Sequence, residues 1–210
     1  MSSASSPARK AYDALGAQPE PGHESVVDDA SLLAAASTDL VAFEALYRRY
    51  EKRVYNYVYL LAHNGAIAEE VVADTMVAVW RSAARFTGSS RVSTWILGIA
   101  RHKAIDAVRR AARELRAAPL EDGADVVDPL ANPPSQVSRV EEAALLKRAM
   151  GALSADHQEV LRLVFYEELP YEEIAQLLAV PVNTVKTRVF YAKQQLKLRL
   201  EKARLAGADL

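Results

Sequence analysis

The chain has 210 residues, half of them apolar and a quarter charged, with 26 Lys and Arg against 27 Asp and Glu and a net charge of −1. This balance excludes wholesale disorder, a collagen repeat and a membrane bundle. Cysteine is absent, which excludes a disulfide framework, a thiolate metal site and a cysteine nucleophile.

No stretch reaches the roughly 18 apolar residues of a membrane span, and residues 1–15 lack the apolar region of a secretory signal. The expected location is the cytoplasm. A net charge near zero argues against a nucleic-acid binder unless the charges are segregated. They are: residues 1–38 carry a net of −3, residues 39–116 +5, residues 117–138 −4 and residues 139–210 +1.

Residues 1–24 are rich in Ser, Ala, Pro and Gly. Such a stretch buries too little apolar surface to offset chain entropy. Residues 1–38 are read as a flexible N-terminal extension. Residues 39–62, 66–85 and 92–116 then show the three-to-four-residue apolar spacing of helices, without the alternation of strands. In the second of these, Val71, Val72, Met76, Val79 and Trp80 form the burying side. Glu69, Glu70, Asp74 and Thr75 cluster near its start. Acids there either complement the helix dipole or form a protein-facing patch; the sequence leaves both open.

A small polar loop follows, Thr87, Gly88, Ser89, Ser90 and Arg91. On a wheel of about 100° per residue, the next helix buries Ile96, Leu97, Ala100, Ala104, Ala107, Val108, Ala111 and Leu115. The opposite side carries Trp95, Ile99, His102, Asp106, Arg109, Arg110 and Arg113, flanked by Arg101 and Lys103. An indole beside a row of guanidinium groups suits single-stranded DNA, stacking on a base while the cations hold phosphates. The loop is flexible enough to wrap a base drawn out of the stack. The alternative is a core tryptophan beside a solvated basic face.

Residues 117–138 contain Pro119, Gly123, Pro129, Asn132, Pro133 and Pro134. Paired prolines remove donors and disfavour helix, so this segment reads as an acidic tether between two domains. An ordered loop is the alternative. Helical spacing resumes over 139–151, 155–167, 171–178 and 182–205, with Ser154 as an expected N-cap. Gly65, Gly88 and Gly151 fall at or near the breaks.

Ile174, Ala175, Leu177 and Leu178 give the short helix 171–178 a buried face, and Ala179, Val180 and Pro181 make a compact break. In the helix after it, Val182, Val185, Val189, Ala192 and Leu196 form the core stripe. Opposite lie Asn183, Lys186, Thr187, Phe190, Gln194 and Lys197. Lysine, amide and hydroxyl groups on one face suit phosphates and base edges in a major groove. Two helices at a tight turn, the second outward and basic, is the helix-turn-helix pattern. An exposed Phe on that face has no packing reason.

For an enzyme the sequence offers little. His23, His63, His102 and His157 have no ligand-like spacing, and no zinc-protease, phosphate-loop or nucleophile-elbow motif occurs. The pairs Glu167 with Glu168 and Glu172 with Glu173 read as helix surface. Neither metal nor cofactor is expected. A free-standing helix-turn-helix regulator is the main alternative, and a protein-only adaptor would leave the face of Asn183, Lys186 and Phe190 without purpose.

Taken together, the segments DLVAF through Tyr47 and Tyr50, AEEVVADTMVAVW and TWILGIARHKAID resemble region two of bacterial extracytoplasmic-function (ECF) sigma factors. LSADHQEVLRLVFYEELPYEEIAQLLAVPVNTVKTRVFYAKQQL resembles their region four. The two cover about 140 of 210 residues, in the family's order.

The resemblance implies an all-α fold of two small domains, residues 39–116 and 139–205, with a tail at 206–210. It implies a factor that binds core RNA polymerase, recognises and melts promoters, and is commonly held by an anti-sigma protein. Polymerase contacts are implied for Glu69, Glu70, Asp74 and Thr75, on the clamp helices of the largest subunit. Region four is implied to bind the flap of the second-largest subunit. Minus-ten contacts are implied for Thr87, Gly88, Ser89, Ser90, Arg91, Thr94, Trp95, Arg101, His102, Lys103, Asp106, Arg109 and Arg110. Minus-thirty-five contacts are implied for Asn183, Thr184, Lys186, Thr187, Arg188, Phe190, Tyr191, Lys193, Gln194 and Lys197. The acidic tether, with Glu121, Asp122, Asp125 and Asp128, fits a basic RNA exit path. Two departures stand out: Ala73 where many members carry Gln, and Ala179 where a turn Gly is common. The lead-in is longer than usual, and no domain is expected after region four.

Overall fold

The computed structural model describes residues 27–117 and 137–207, with side chains over 27–115 and 143–203. The tether expected at residues 117–138 lies almost wholly outside the described residues. The described residues are helical without strands and fall into two compact units.

The first unit contains α1 (Asp29–Ala35), α2 (Leu40–Ala62), α3 (Gly65–Ser82), a 3-10 turn (Ala83–Arg85) and α4 (Val92–Ala117). Each early boundary has a chemical cause. Asp28 caps α1, accepting from the amides of Ala30 and Ser31 and from the Ser31 hydroxyl at 2.9, 3.0 and 2.6 Å. The Ser31 hydroxyl and amide hold its carboxyl below the ordinary carboxylate value. Asp39 caps α2 through the Val41 amide at 2.8 Å. α2 ends at His63 in the left-handed region, φ 50°. Asn64 then caps α3 through the Ile67 amide at 3.1 Å. This two-residue link folds α3 back on α2.

The core joins Leu46, Tyr50, Val54 and Val58 of α2, Val71, Met76 and Val79 of α3, and Ile96, Ala100 and Ala104 of α4. Leu32, Leu33 and Ala36 belong to the same core. α1 is thus an integral wall of the unit, which corrects the reading of all of residues 1–38 as a flexible extension. It is fastened by Asp29, which accepts from Arg49 at 2.5 Å and from the buried Tyr50 hydroxyl. Burial and Asp29 together raise the Tyr50 pKa above its usual value.

Two residues expected inside are outside. Trp80 is 42% exposed, because the buried stripe of α3 runs Val72, Thr75, Met76 and Val79 and leaves Trp80 about 100° past Val79. Leu115 is 79% exposed. No described α4 residue beyond Ala107 is buried, so the helix outruns its packing partners.

The second unit contains α5 (Val137–Gly151), α6 (Ala155–Phe165), α7 (Tyr171–Leu178) and α8 (Val182–Gly207). Ser154 caps α6, its hydroxyl accepting the His157 amide at 3.4 Å. Gln158 is buried and donates to the Leu153 carbonyl at 2.9 Å, satisfying the turn before its own helix. Leu146, Val160, Leu163, Ile174, Leu178, Val185, Val189 and Ala192 are all buried. Helices α5, α6 and α7 each pack on α8. α7 closes with Ala179 in the left-handed region, φ 54°. The Val180 amide donates to the Ala175 carbonyl at 3.0 Å, the back-bond of a Schellman turn. The turn therefore keeps the angle a glycine would favour, at a cost of about 1 kcal/mol for the Cβ. Pro181 stands just before α8, and its carbonyl accepts the Thr184 amide at 2.9 Å.

Candidate nucleic-acid and protein interfaces

On α8, packing of the inner stripe forces the other side outward. Asn183, Lys186, Thr187, Phe190, Tyr191, Gln194 and Lys197 are exposed, and Thr184 is half-buried. Phe190 and Tyr191 are 62% and 51% exposed and meet edge to face, ring centroids 5.4 Å apart. The Thr187 hydroxyl donates to the Asn183 carbonyl at 2.9 Å, which turns it back on its own helix. Lys197 lies 3.8 Å from Glu201.

Two of the expected DNA contacts are held toward the domain. Arg188 is half-buried and ion-pairs with Asp156 of α6 at 2.7 Å. The Lys193 ammonium sits over the Phe165 ring, 4.8 Å from its centroid. Arg188, implied as a minus-thirty-five contact, thus forms a tie between α8 and α6. Asp156 was visible in the sequence only as a first-turn acid. Its pairing with a residue 32 positions later is a tertiary fact.

In the first unit the polar loop is displayed. Thr87, Gly88, Ser89 and Arg91 are exposed and Ser90 is half-buried. Gly88 has φ 73°, a left-handed angle that favours glycine there. The Thr87 hydroxyl donates to Ser89 at 3.1 Å. Trp95, in the first turn of α4, is half-buried against Phe86, ring centroids 5.3 Å apart and tilted 53°. The indole is thus partly core and partly surface: one portion packs on the core, and the rest meets solvent. Thr94, one residue earlier, is buried and is removed from the set that reaches DNA directly.

Further along α4, His102, Asp106, Arg109 and Arg110 are exposed, and Arg101 and Lys103 are half-buried. His102 Nδ1 is 2.8 Å from the Gly98 carbonyl, which fixes the ring along the helix. Lys103 pairs with Asp74 at 3.4 Å and Arg110 with Glu70 at 3.3 Å.

On α3, Glu69, Glu70, Ala73, Asp74, Val77 and Trp80 are exposed. Thr75 is fully buried on the stripe between Val72 and Val79, its hydroxyl without a hydrogen-bond partner. It is corrected from a surface contact to a core residue. Val77 and Trp80 were missed as surface residues. Their angle from Val79 and Met76 was the available signal. Among the described residues no group of three or more His, Asp or Glu could hold a metal ion, and no helix is long and apolar enough to cross a membrane.

One unit presents a helix-turn-helix with an aromatic and basic outer helix; the other presents an aromatic and basic helix beside an acidic and apolar one. This is the make-up of a helical transcription factor with two working domains. Residues 46–114 match Sigma-70 region 2 and residues 143–196 match Sigma-70 region 4. Over 164 residues the chain is 30% identical to the RNA polymerase sigma factor YlaC of Bacillus subtilis, covering 78% of this chain and 94% of that protein. Over 176 residues it is 30% identical to the ECF RNA polymerase sigma factor SigK of Mycobacterium tuberculosis, covering 80% of this chain and 91% of that protein.

The chain belongs to the RNA polymerase sigma factor family, in its ECF group: it is an alternative sigma factor, a transcription initiation factor. Its fold resembles that of the sigma factor RpoE from Bartonella quintana, solved in complex with the anti-sigma factor NepR. That likeness has a TM-score of 0.58 and 24% identity over 76% of this chain and 96% of that one. CnrH, solved in complex with the cytosolic domain of CnrY, gives a TM-score of 0.56 and 24% identity over 83% of this chain and 97% of that one.

Proposed function

We propose that the two units divide the work of initiation in the cytoplasm, with no catalytic step of their own. The exposed face of α3, with Glu69, Glu70, Asp74 and the apolar Val77 and Trp80, docks on the polymerase largest subunit. A helix face acidic at one end and apolar at the other complements a helical partner that offers both cations and apolar surface. The loop at residues 87–91 and the face of α4 from Trp95 to Arg110 capture the unpaired minus-ten strand. The outer face of α8, with Lys186, Phe190, Tyr191 and Gln194, reads the minus-thirty-five duplex.

The observation that carries this reading is the half-exposed Trp95 indole. It stands beside a displayed glycine loop at the head of a helix lined with Arg and Lys. Aromatic stacking with phosphate-holding cations is the chemistry of single-strand capture. Control by an anti-sigma protein is proposed from the relatives, since RpoE and NepR are solved together.

The test is core-enzyme association and promoter melting with charge-reversed α3. Glu70→Lys with Asp74→Lys is expected to reduce capture of core polymerase at least about tenfold, as like charges replace complementary ones. Wild-type capture would remove α3 as the docking face.

A further inference from the structure

Lys103 and Arg110 lie on the face of α4 proposed for DNA, yet each is engaged by a carboxylate of α3. Lys103 Nζ is 3.4 Å from Asp74 Oδ2 and Arg110 Nη2 is 3.3 Å from Glu70 Oε1. The acids are one turn apart on α3 and the cations two turns apart on α4, so the pairs form two rungs across one antiparallel seam. Glu70, Asp74 and Arg110 are all more than half exposed, so the pairs are open to exchange with other charged groups. The same two acids sit on the face proposed for polymerase. Each carboxylate therefore has two competing uses.

We propose that Glu70 and Asp74 mask Lys103 and Arg110 in the factor alone, and that the polymerase surface which takes the carboxylates releases the two cations to the DNA strand. The proposal rests on the reading of α3 as the polymerase face. A carboxylate beside a cation occupies its N–H donors and cancels its charge, so fewer counterions leave the DNA on binding. A partner that supplies its own cations to Glu70 and Asp74 removes that competition. Linkage makes the effect reciprocal: DNA on Lys103 and Arg110 strengthens polymerase binding to α3 by the same factor.

The test measures fluorescence anisotropy of a labelled single-stranded oligothymidylate, about 15 nucleotides long, with the full chain and no polymerase. Glu70→Gln with Asp74→Asn is expected to tighten binding about 3- to 10-fold, the range for two exposed pairs, with a steeper salt dependence. In a Lys103→Ala, Arg110→Ala background the same two changes are expected to give no gain. Glu51→Gln, an acid removed from the exposed side of α2, is expected to change affinity less than about 2-fold. No tightening, an equal gain in the Lys103→Ala, Arg110→Ala background, or an equal gain from Glu51→Gln each overturns the masking.

Core-polymerase capture by the same Glu70→Gln, Asp74→Asn chain separates the two layers. Reduced capture without a DNA gain overturns the masking and leaves α3 as the docking face. A DNA gain with wild-type capture overturns the release step together with the docking assignment. Reduced capture with a DNA gain is the expected result.

Discussion

The two units differ in where the cations of their candidate DNA helices are tied to a neighbouring helix. In the second unit two cations of α8 tied across helices, Arg188 to Asp156 and Lys193 over Phe165, sit at its back and flank. Their partners belong to α6, and the outer face of Lys186, Phe190 and Gln194 stays clear. In the first unit two cations of α4 tied across helices, Lys103 and Arg110, belong to the candidate DNA face itself, and their partners belong to the candidate protein face. The difference shows how similar ion pairs serve two ends. Behind a recognition helix they set its seat on the domain. Between two working faces they make one face answer to the other.

The largest expected effect breaks the displayed side of this contrast. Lys186→Ala with Phe190→Ala removes one charged and one apolar base-reading group, each worth about 1–3 kcal/mol. Run-off transcription from promoters that depend on the upstream element should fall at least about 30-fold, with core-polymerase capture unchanged. Next, Trp95→Ala should weaken binding to an unpaired minus-ten strand about tenfold, the loss of one stacked base, again with capture unchanged. Tyr50→Phe should destabilise the first unit by about 1 kcal/mol, the net worth of its hydrogen bond to Asp29, read from denaturant unfolding. Smallest, Ala179→Gly should stabilise the second unit by up to about 1 kcal/mol, because it relieves the left-handed angle in the turn. A loss of stability there would mean the added chain freedom of glycine outweighs the relief.

Much of the fold is visible in the sequence because its local rules agree. The stripe Val185, Val189 and Ala192 is buried as its spacing requires, and Ser154 caps α6. What escaped the sequence depends partly on partners distant along the chain and partly on helix angles that residue type alone misleads. Helix α1 has only seven residues, too few for a periodic signal, and is fastened by Asp29 to Arg49 and Tyr50 some twenty positions on. Thr75 looked like a surface residue by type, but its angle on α3 places it in the core. Trp80 looked like a core residue by type and lies outside for the converse reason. Leu115 keeps the right angle on α4 but has no neighbour at its level. Among the candidate contacts, the outward face of α8 followed from its wheel, whereas the tie of Arg188 and the two rungs between α3 and α4 did not. An ion pair across a seam needs the register of two helices, which no single segment encodes.

The most direct test of the central claim is permanganate reactivity of unpaired thymines in complexes of core polymerase, this factor and a promoter that it directs. Wild-type factor should expose thymines across the minus-ten element. Trp95→Ala should load onto core polymerase normally and leave those thymines protected. Full melting by Trp95→Ala at wild-type efficiency would contradict the assignment of strand capture to the head of α4.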